Sequence, residues 1–410
     1  MKKTIAAILG ICLCLSCRSE KDGGITLAVQ AGAFDRQDCV VSVGIPEGKG
    51  VSDWELIERK GWKNVKVPSQ TVKAEGKTIL YWILAGHTKA GDIRTFVARP
   101  AERQPAQNAM EVEDTRKSLI LKKDGKPVLQ YNYTCVEPPA GVDTIFRRSG
   151  FIHPAYSPAG NVLTNIHPKD HYHHFGIWNP WTHVVYDGKL HDLWNLGERQ
   201  GTVRAGAIRG TAQGSVFCGY DAALDHVIFT PEGEKTIMEE CWKVKTWNLP
   251  DVFLWDFESH LSPSTPLPLL LEAYRYAGFS CRATPEWTGE NCVMLTSEGK
   301  TRQEIDGTTA RWICMTGDTQ TGRSGLLFMS HPQNYNTPEP LRIWDEQANA
   351  GRGDAFINFA PTKNKNWELE PGRHYLLRYR VLSYEGEMTS ATADRFWNDF
   401  AHPPAVETEQ

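Results

Sequence analysis

Only one stretch of this 410-residue chain, residues 390–400, repeats apolar side chains at helical spacing, with Ala391, Ala393, Phe396, Trp397 and Phe400 on one stripe. Other patterned segments alternate with a period of two, which puts one face of a strand inward and the other outward. Such runs occupy 25–29, 39–43, 78–84 and 95–98, and recur at short intervals through 202–214, 234–247, 252–261, 325–330 and 374–383. The chain carries 35 Gly and 24 Pro, the residues that punctuate strands with turns. The pattern predicts an all-β fold, a large β-sandwich with a short C-terminal helix. At 119–133, Asp124-Gly125 separates two apolar-rich arms and predicts a hairpin. Residues 99–117 are polar and aperiodic. They read as a linker between an N-terminal β region, 25–98, and a main sandwich, 118–402.

The first residues read as an address. Lys2 and Lys3 precede an apolar run, 5–15, that ends in Ser16-Cys17. This resembles a bacterial lipobox: a signal peptide at 1–16, lipidation at Cys17, and a short tether at 17–24. The expectation is an exported lipoprotein, periplasmic or on the outer membrane, that touches the membrane only through its lipid. No apolar run reaches the roughly 18–20 residues of a membrane span. A formal charge of −4 supplies no basic stripe for nucleic acid. Seven further cysteines, Cys39, Cys135, Cys218, Cys241, Cys281, Cys292 and Cys314, form no CxxC pair. They read as small buried hydrophobes with at most one disulfide among them.

Chemistry concentrates in one segment. Seven of the 13 histidines lie between 153 and 191, among Arg147, Arg148, Trp178, Trp181 and Trp194. Three causes fit such clustering. His171 and His173 would share one face of a strand and offer imidazoles to a divalent metal. Alternatively, histidines near neutrality move protons while arginines hold a carboxylate and tryptophans stack on sugar rings. The third cause is structural, with ring nitrogens satisfied inside loops. In 252–261, Asp256 and Glu258 stand on one strand face, roughly 6.5–7 Å apart by strand geometry. Nucleotide-binding glycine loops and serine-nucleophile elbows are absent from the sequence.

The runs Gly141-Val142-Asp143, Phe146-Arg147-Arg148-Ser149-Gly150-Phe151-Ile152-His153-Pro154, Tyr156-Ser157-Pro158 and Asp170-His171-Tyr172-His173-His174-Phe175-Gly176-Ile177-Trp178 resemble a bacterial exported family of unknown function. That family is often labelled "methane oxygenase PmoA". Ala31-Gly32-Ala33-Phe34-Asp35-Arg36 and His331-Pro332-Gln333-Asn334 are similar to its further motifs. The label sits badly with this chain, since a membrane methane monooxygenase subunit is mostly transmembrane helix. The resemblance implies a galactose-mutarotase-like or polysaccharide-lyase-like supersandwich and a setting among glycan-degradation genes.

The combined reading is a carbohydrate-active enzyme on oligosaccharides, a lyase or dehydratase acting on uronate-containing glycans. His173 or His174 would abstract the proton beside the carboxylate, with Tyr274 as the alternative base. Arg148 and Arg275 would hold the carboxylate, Trp178 would stack on a sugar, and His153 and Glu272 would line the site. Two other readings stay open. One is glycoside hydrolysis through Asp256 with Glu258, or Glu272 with Asp345. The other is a sugar-binding lipoprotein without chemistry. The expected partner is an oligosaccharide or acidic glycan.

Overall fold

The computed structural model describes residues 24–45, 53–74, 76–102 and 109–409. Cys17 and the signal segment lie outside them. The described chain is mostly strand, arranged in five antiparallel sheets.

Two eight-stranded sheets form the main sandwich. The larger runs, in spatial order, Gly201–Ala212, Phe217–Thr230, Gly233–Trp247, Phe253–Pro263, Tyr375–Glu385, Gly322–Ser330, Trp312–Thr319 and Cys292–Thr296. The second begins with Leu341–Ile343, Phe356–Phe359, Ser280–Arg282 and Ile177–Trp178. It continues through Phe151–Ala155, Lys126–Asn132 and Ser118–Lys123 to Met110–Asp114. Strand alternation explains their contact. Tyr220, Trp242, Phe257 and Tyr379 point inward from the larger sheet and meet Leu129, Ile152, Ile177, Cys281 and Ile357 from the second in one buried core.

Residues 25–101 make two further sheets. A three-stranded one, Arg36–Ile45, Lys77–Thr88 and Ser69–Ala74, packs Val41, Leu80, Trp82 and Leu84 against Leu27, Leu56 and Phe96 of a five-stranded one. The five-stranded sheet borrows its edge strand, Ala405–Glu409, from the far end of the chain, where it pairs with Ile25–Gln30. Opposite parity on the three-stranded sheet turns Val40, Tyr81 and Ile83 toward Phe217, Trp247 and Leu254 on the outer face of the larger sheet. The helix Ser390–Ala401 adds Phe396 and Trp397 to that interface.

Several sequence expectations are met at residue level. Lys123 pairs with Lys126, and Asp124 and Gly125 both adopt positive φ (49° and 75°), as a two-residue turn that matches strand twist requires. The helix starts at Thr389, whose hydroxyl accepts from the Thr392 amide. Two details differ. Within 99–117, Met110–Asp114 is a strand paired with Ser118–Lys123, because Met110 and Val112 alternate toward the core while charged neighbours face out. The seven cysteines beyond the signal are all free, and two of them are not the buried hydrophobes expected, since Cys135 is exposed and Cys241 half-buried. Burial pushes the Cys218 and Cys292 thiols up to about 12, so they behave as small hydrophobes.

Candidate active site

The outer face of the second eight-stranded sheet carries a cluster of its own, separate from the main core. Alternation places Trp178, Arg282 and Phe356 on it, while Ile177, Cys281 and Ile357 point into the core. Loops cover this face. One is 165–176, and the other joins Leu341–Ile343 to Phe356–Phe359.

Residues 170–174 do not form the strand that would put His171 and His173 on one side. The His171 amide donates to Pro168 O (2.9 Å) and the His174 amide to His171 O (3.0 Å), two successive turns. The three imidazoles gather as a result. His171 stacks on His174 (4.8 Å), and His173 meets His171 and His174 edge-on (5.4 and 4.9 Å). Trp344, Trp178 and Phe356 pack around His174.

Burial separates their roles. His174 is 1% exposed, and burial drives it well below the usual imidazole range. Burial, then the neighbouring His171, lowers His173 to about 4. Both are neutral, and the assignment of His174 as a base fails because substrate cannot reach it. His171 is different: its side chain is 31% exposed and its Nδ1 lies 2.8 Å from Asp170 Oδ2. Asp170 also accepts from Arg282 (3.1 Å), Asn349 (3.0 Å) and Arg352 (3.3 Å). Burial pushes Asp170 up, but the His171 hydrogen bond and the Arg282 charge outweigh it and hold the carboxyl at about 2. An ionised carboxylate only accepts, so Nδ1 carries a hydrogen and Nε2 is the nitrogen that faces away from the carboxylate.

The other expected residues fall elsewhere. Trp178 is fully buried beneath His174, Trp194 and Phe356, so no sugar stacks on its face. Arg148 is 1% exposed, its guanidinium lies over Phe175, and burial lowers it to about 9; it is not placed to clamp a substrate carboxylate. His153 bonds Thr164 Oγ1 (2.9 Å), and burial lowers it to about 4. Tyr274 stacks on His183 at 3.9 Å, away from the imidazoles, and the Glu272 amide donates to His183 O. Tyr276 is the member of that run that reaches the cluster, its hydroxyl accepting from Trp344 Nε1 (3.0 Å) and Arg342 (3.1 Å). Arg275 is exposed and lies over Tyr274 and Tyr276.

Three of the four carboxylates offered for hydrolysis already have partners. Asp256 accepts from Arg380 (2.5 and 2.9 Å) and Trp247 Nε1, and Glu258 from His260 (3.0 Å). Asp345 accepts from the Gln347 amide in its own turn. Among the described residues no group of three or more His, Cys, Asp or Glu side chains is placed to hold a metal ion. The His171–His173 pair therefore has no completing ligand.

The residues that complete the site, Arg282, Asn349, Arg352 and Trp344, escaped the sequence reading. The one signal available was Asp170 directly preceding His171 in a histidine-rich turn.

Residues 118–398 match a family described as "Family of unknown function (DUF6807)", a span that includes the Asp170–Trp178 run. No curated protein matches the chain. Among solved structures it is similar to a protein in the glycosyl hydrolase family 38 from Enterococcus faecalis. The identity is 7% and the TM-score 0.48, over 94% of this chain and 47% of that one. This chain thus spans about half the length of that structure.

Proposed function

The chain belongs to this family of unknown function, and we propose that it is a carbohydrate-active lyase for uronate-containing oligosaccharides, with His171 as its base. The observation that carries the reading is the Asp170–His171 pair at 2.8 Å, beside a half-open surface. Asp170 fixes the tautomer and the ring plane. Arg282, Asn349 and Arg352 fix Asp170. Arg282 and Arg352 are balanced by Asp170 and Asp354, so the four charges hold one another in place and leave the imidazole edge as the reactive group. Export as a lipoprotein anchored at Cys17 belongs to the same proposal.

The step balances without a further reactant. His171 Nε2 takes the proton on the carbon bearing the carboxylate. The C–H electron pair becomes a carbon–carbon double bond as the adjacent C–O bond breaks. The leaving oxygen keeps that bond's electrons and receives the proton from Nε2. The same step on a hydroxyl leaving group would be a dehydration.

Mass spectrometry of acidic and neutral oligosaccharides incubated with the mature protein tests this. Cleavage without added water, with a new ultraviolet-absorbing double bond, is the expected result, and His171→Ala abolishes it. Products whose masses sum to substrate plus water would replace the lyase by a hydrolase. Unchanged masses across the panel would leave only sugar binding.

A further inference from the structure

The hairpin that closes one side of the five-stranded sheet, Asp53–Lys60 with Lys63–Val67, ends in water. Every residue from 59 to 66 is exposed. At the tip Trp62 is 104% exposed, so nothing in the chain packs on either face of its ring. An indole left wholly in water forgoes the burial that a ring of this size normally supplies. It has apolar company. In the neighbouring strand, Ile93–Ala101, Thr95 pairs with Arg59. The antiparallel register therefore sets Ile93 level with Gly61, beside the tip, and Ile93 is 60% exposed. Val65, on the outgoing strand of the hairpin, is exposed as well. Three of the seven large apolar side chains exposed among the described residues thus gather at one end of one sheet.

Cations surround them. From 58 to 66 the hairpin carries Arg59, Lys60, Lys63 and Lys66 against one carboxylate, Glu58, which is buried and paired with Arg94 and Lys60. Lys66 also meets Glu55 across the hairpin, and the turn before Ile93 adds Lys89 and Asp92. In a chain of formal charge −4, this end is locally positive. Lysines on an edge strand discourage other strands from pairing with it, which accounts for Lys63 and Lys66. It does not account for an indole at the tip, which makes the edge stickier. Stacking on a sugar fits no better, because a sugar platform is a ring held in one plane before the ligand arrives, and nothing holds Trp62. A fluid interface asks for no fixed plane. Indoles settle at the level of the headgroups, and lysines are drawn to anionic lipid.

We infer that the Trp62 hairpin, together with Ile93, is a contact for an anionic membrane surface, with the indole in the headgroup layer and Lys60 and Lys63 facing its phosphates. The geometry suits a tethered protein. Ile25 pairs with Ala98, and Ala98 with Leu56, so the first strand starts about five residues, or roughly 17 Å, back from the tip and three strands across. Residues 17–24 can reach up to about 27 Å, enough for the lipid proposed at Cys17 and the tip to meet one bilayer. The hairpin would be a second point of attachment that orients the domain, and it stands without the lyase reading.

Vesicle sedimentation of the mature protein carrying Cys17→Ser, which has no lipid of its own, tests the inference. The protein should bind vesicles of mixed phosphatidylcholine and phosphatidylglycerol, and should bind pure phosphatidylcholine far more weakly. Trp62→Ala removes a side chain that touches nothing, so the fold is kept, and partitioning should fall roughly tenfold. Lys60→Gln with Lys63→Gln should lower it about 25-fold, near fivefold for each charge. Brominated phosphatidylcholine in the mixed vesicles should quench part of the tryptophan fluorescence of the parent and none of it in Trp62→Phe. No binding to the mixed vesicles overturns the inference. So does binding that Trp62→Ala leaves unchanged, or quenching that persists in Trp62→Phe, since either places the contact elsewhere on the chain. Retention on an immobilised oligosaccharide that Trp62→Ala abolishes, without vesicle binding, replaces the membrane by a sugar.

Discussion

Two aspartates, each gripped by a buried arginine, sit on the outer faces of the two main sheets, and they have opposite surroundings. Asp256 accepts two bonds from Arg380, whose guanidinium lies over Phe400 of the C-terminal helix. Asp170 accepts from Arg282, but two loops cover it and an imidazole with an exposed edge is its further partner. The first pair is flanked by apolar packing of a helix and a sheet, and its carboxylate is about as exposed as the second one, 20% against 23%. The second lies under loops that both polar contacts to Asp170 and an apolar cluster hold in place. The same ion-pair chemistry thus serves architecture on one face and orients a base on the other. What differs is the covering layer.

Substitutions should separate the two faces. The largest effect is expected from His171→Ala, which should lower turnover by roughly 10²–10⁴-fold while leaving the unfolding midpoint nearly unchanged, since the side chain is partly exposed. Asp256→Asn should do the opposite. It leaves the Arg380 charge buried without its partner and should cost about 3 kcal/mol in denaturant unfolding, with turnover of the folded enzyme intact. Equal loss of activity in both variants would erase the contrast.

An acid titration sharpens it next. His153 and His173 stay neutral in the fold down to about 4, because burial disfavours their charged forms. The unfolded chain takes up their protons at the ordinary imidazole value of about 6.5. Stability supplied on the loop-covered face is therefore complete above about 6.5 and drains away as pH falls toward 4. Buried Glu339, bonded to Ser330, Asn334 and Tyr379, runs the other way. Burial raises it to about 7, so its share is complete below the free value of about 4.5 and is lost as pH rises toward 7. Unfolding free energies measured between pH 4 and 7 for His173→Gln and Glu339→Gln should show slopes changed in opposite directions. The smallest effect is expected from Trp344→Phe, which removes one hydrogen bond to Tyr276 and should cost about 1 kcal/mol.

The architecture was legible because its signals are local. Asp124-Gly125 dictates its own turn, and the apolar stripe from Ala393 to Trp397 dictates its own helix. The histidine segment was legible as a concentration of chemistry, yet its members could not be ranked. His171, His173 and His174 are equivalent in a sequence. Reach was decided by two turns and by Phe356 and Trp344, which come from the edge strands of the same sheet and the loop between them. The partners that fix Asp170 lie still further off, Asn349 at 179 positions and Arg352 at 182. Trp178 misled for a related reason. Its strand is two residues long, so alternation places it outside the main core but does not reveal that a second apolar cluster closes over it.

The strand Ala405–Glu409, laid against Ile25–Gln30, has a consequence for the order of assembly. The sheet begun by Ile25–Gln30 is finished only after the main sandwich has been made, since its edge stays open until Ala405–Glu409 arrives. A contact spanning nearly the whole chain closes slowly, and the waiting edge is a template for another copy's strand. A chain shortened by those five residues should still build the main sandwich and its imidazole cluster, but should self-associate through the uncapped Ile25–Gln30 edge.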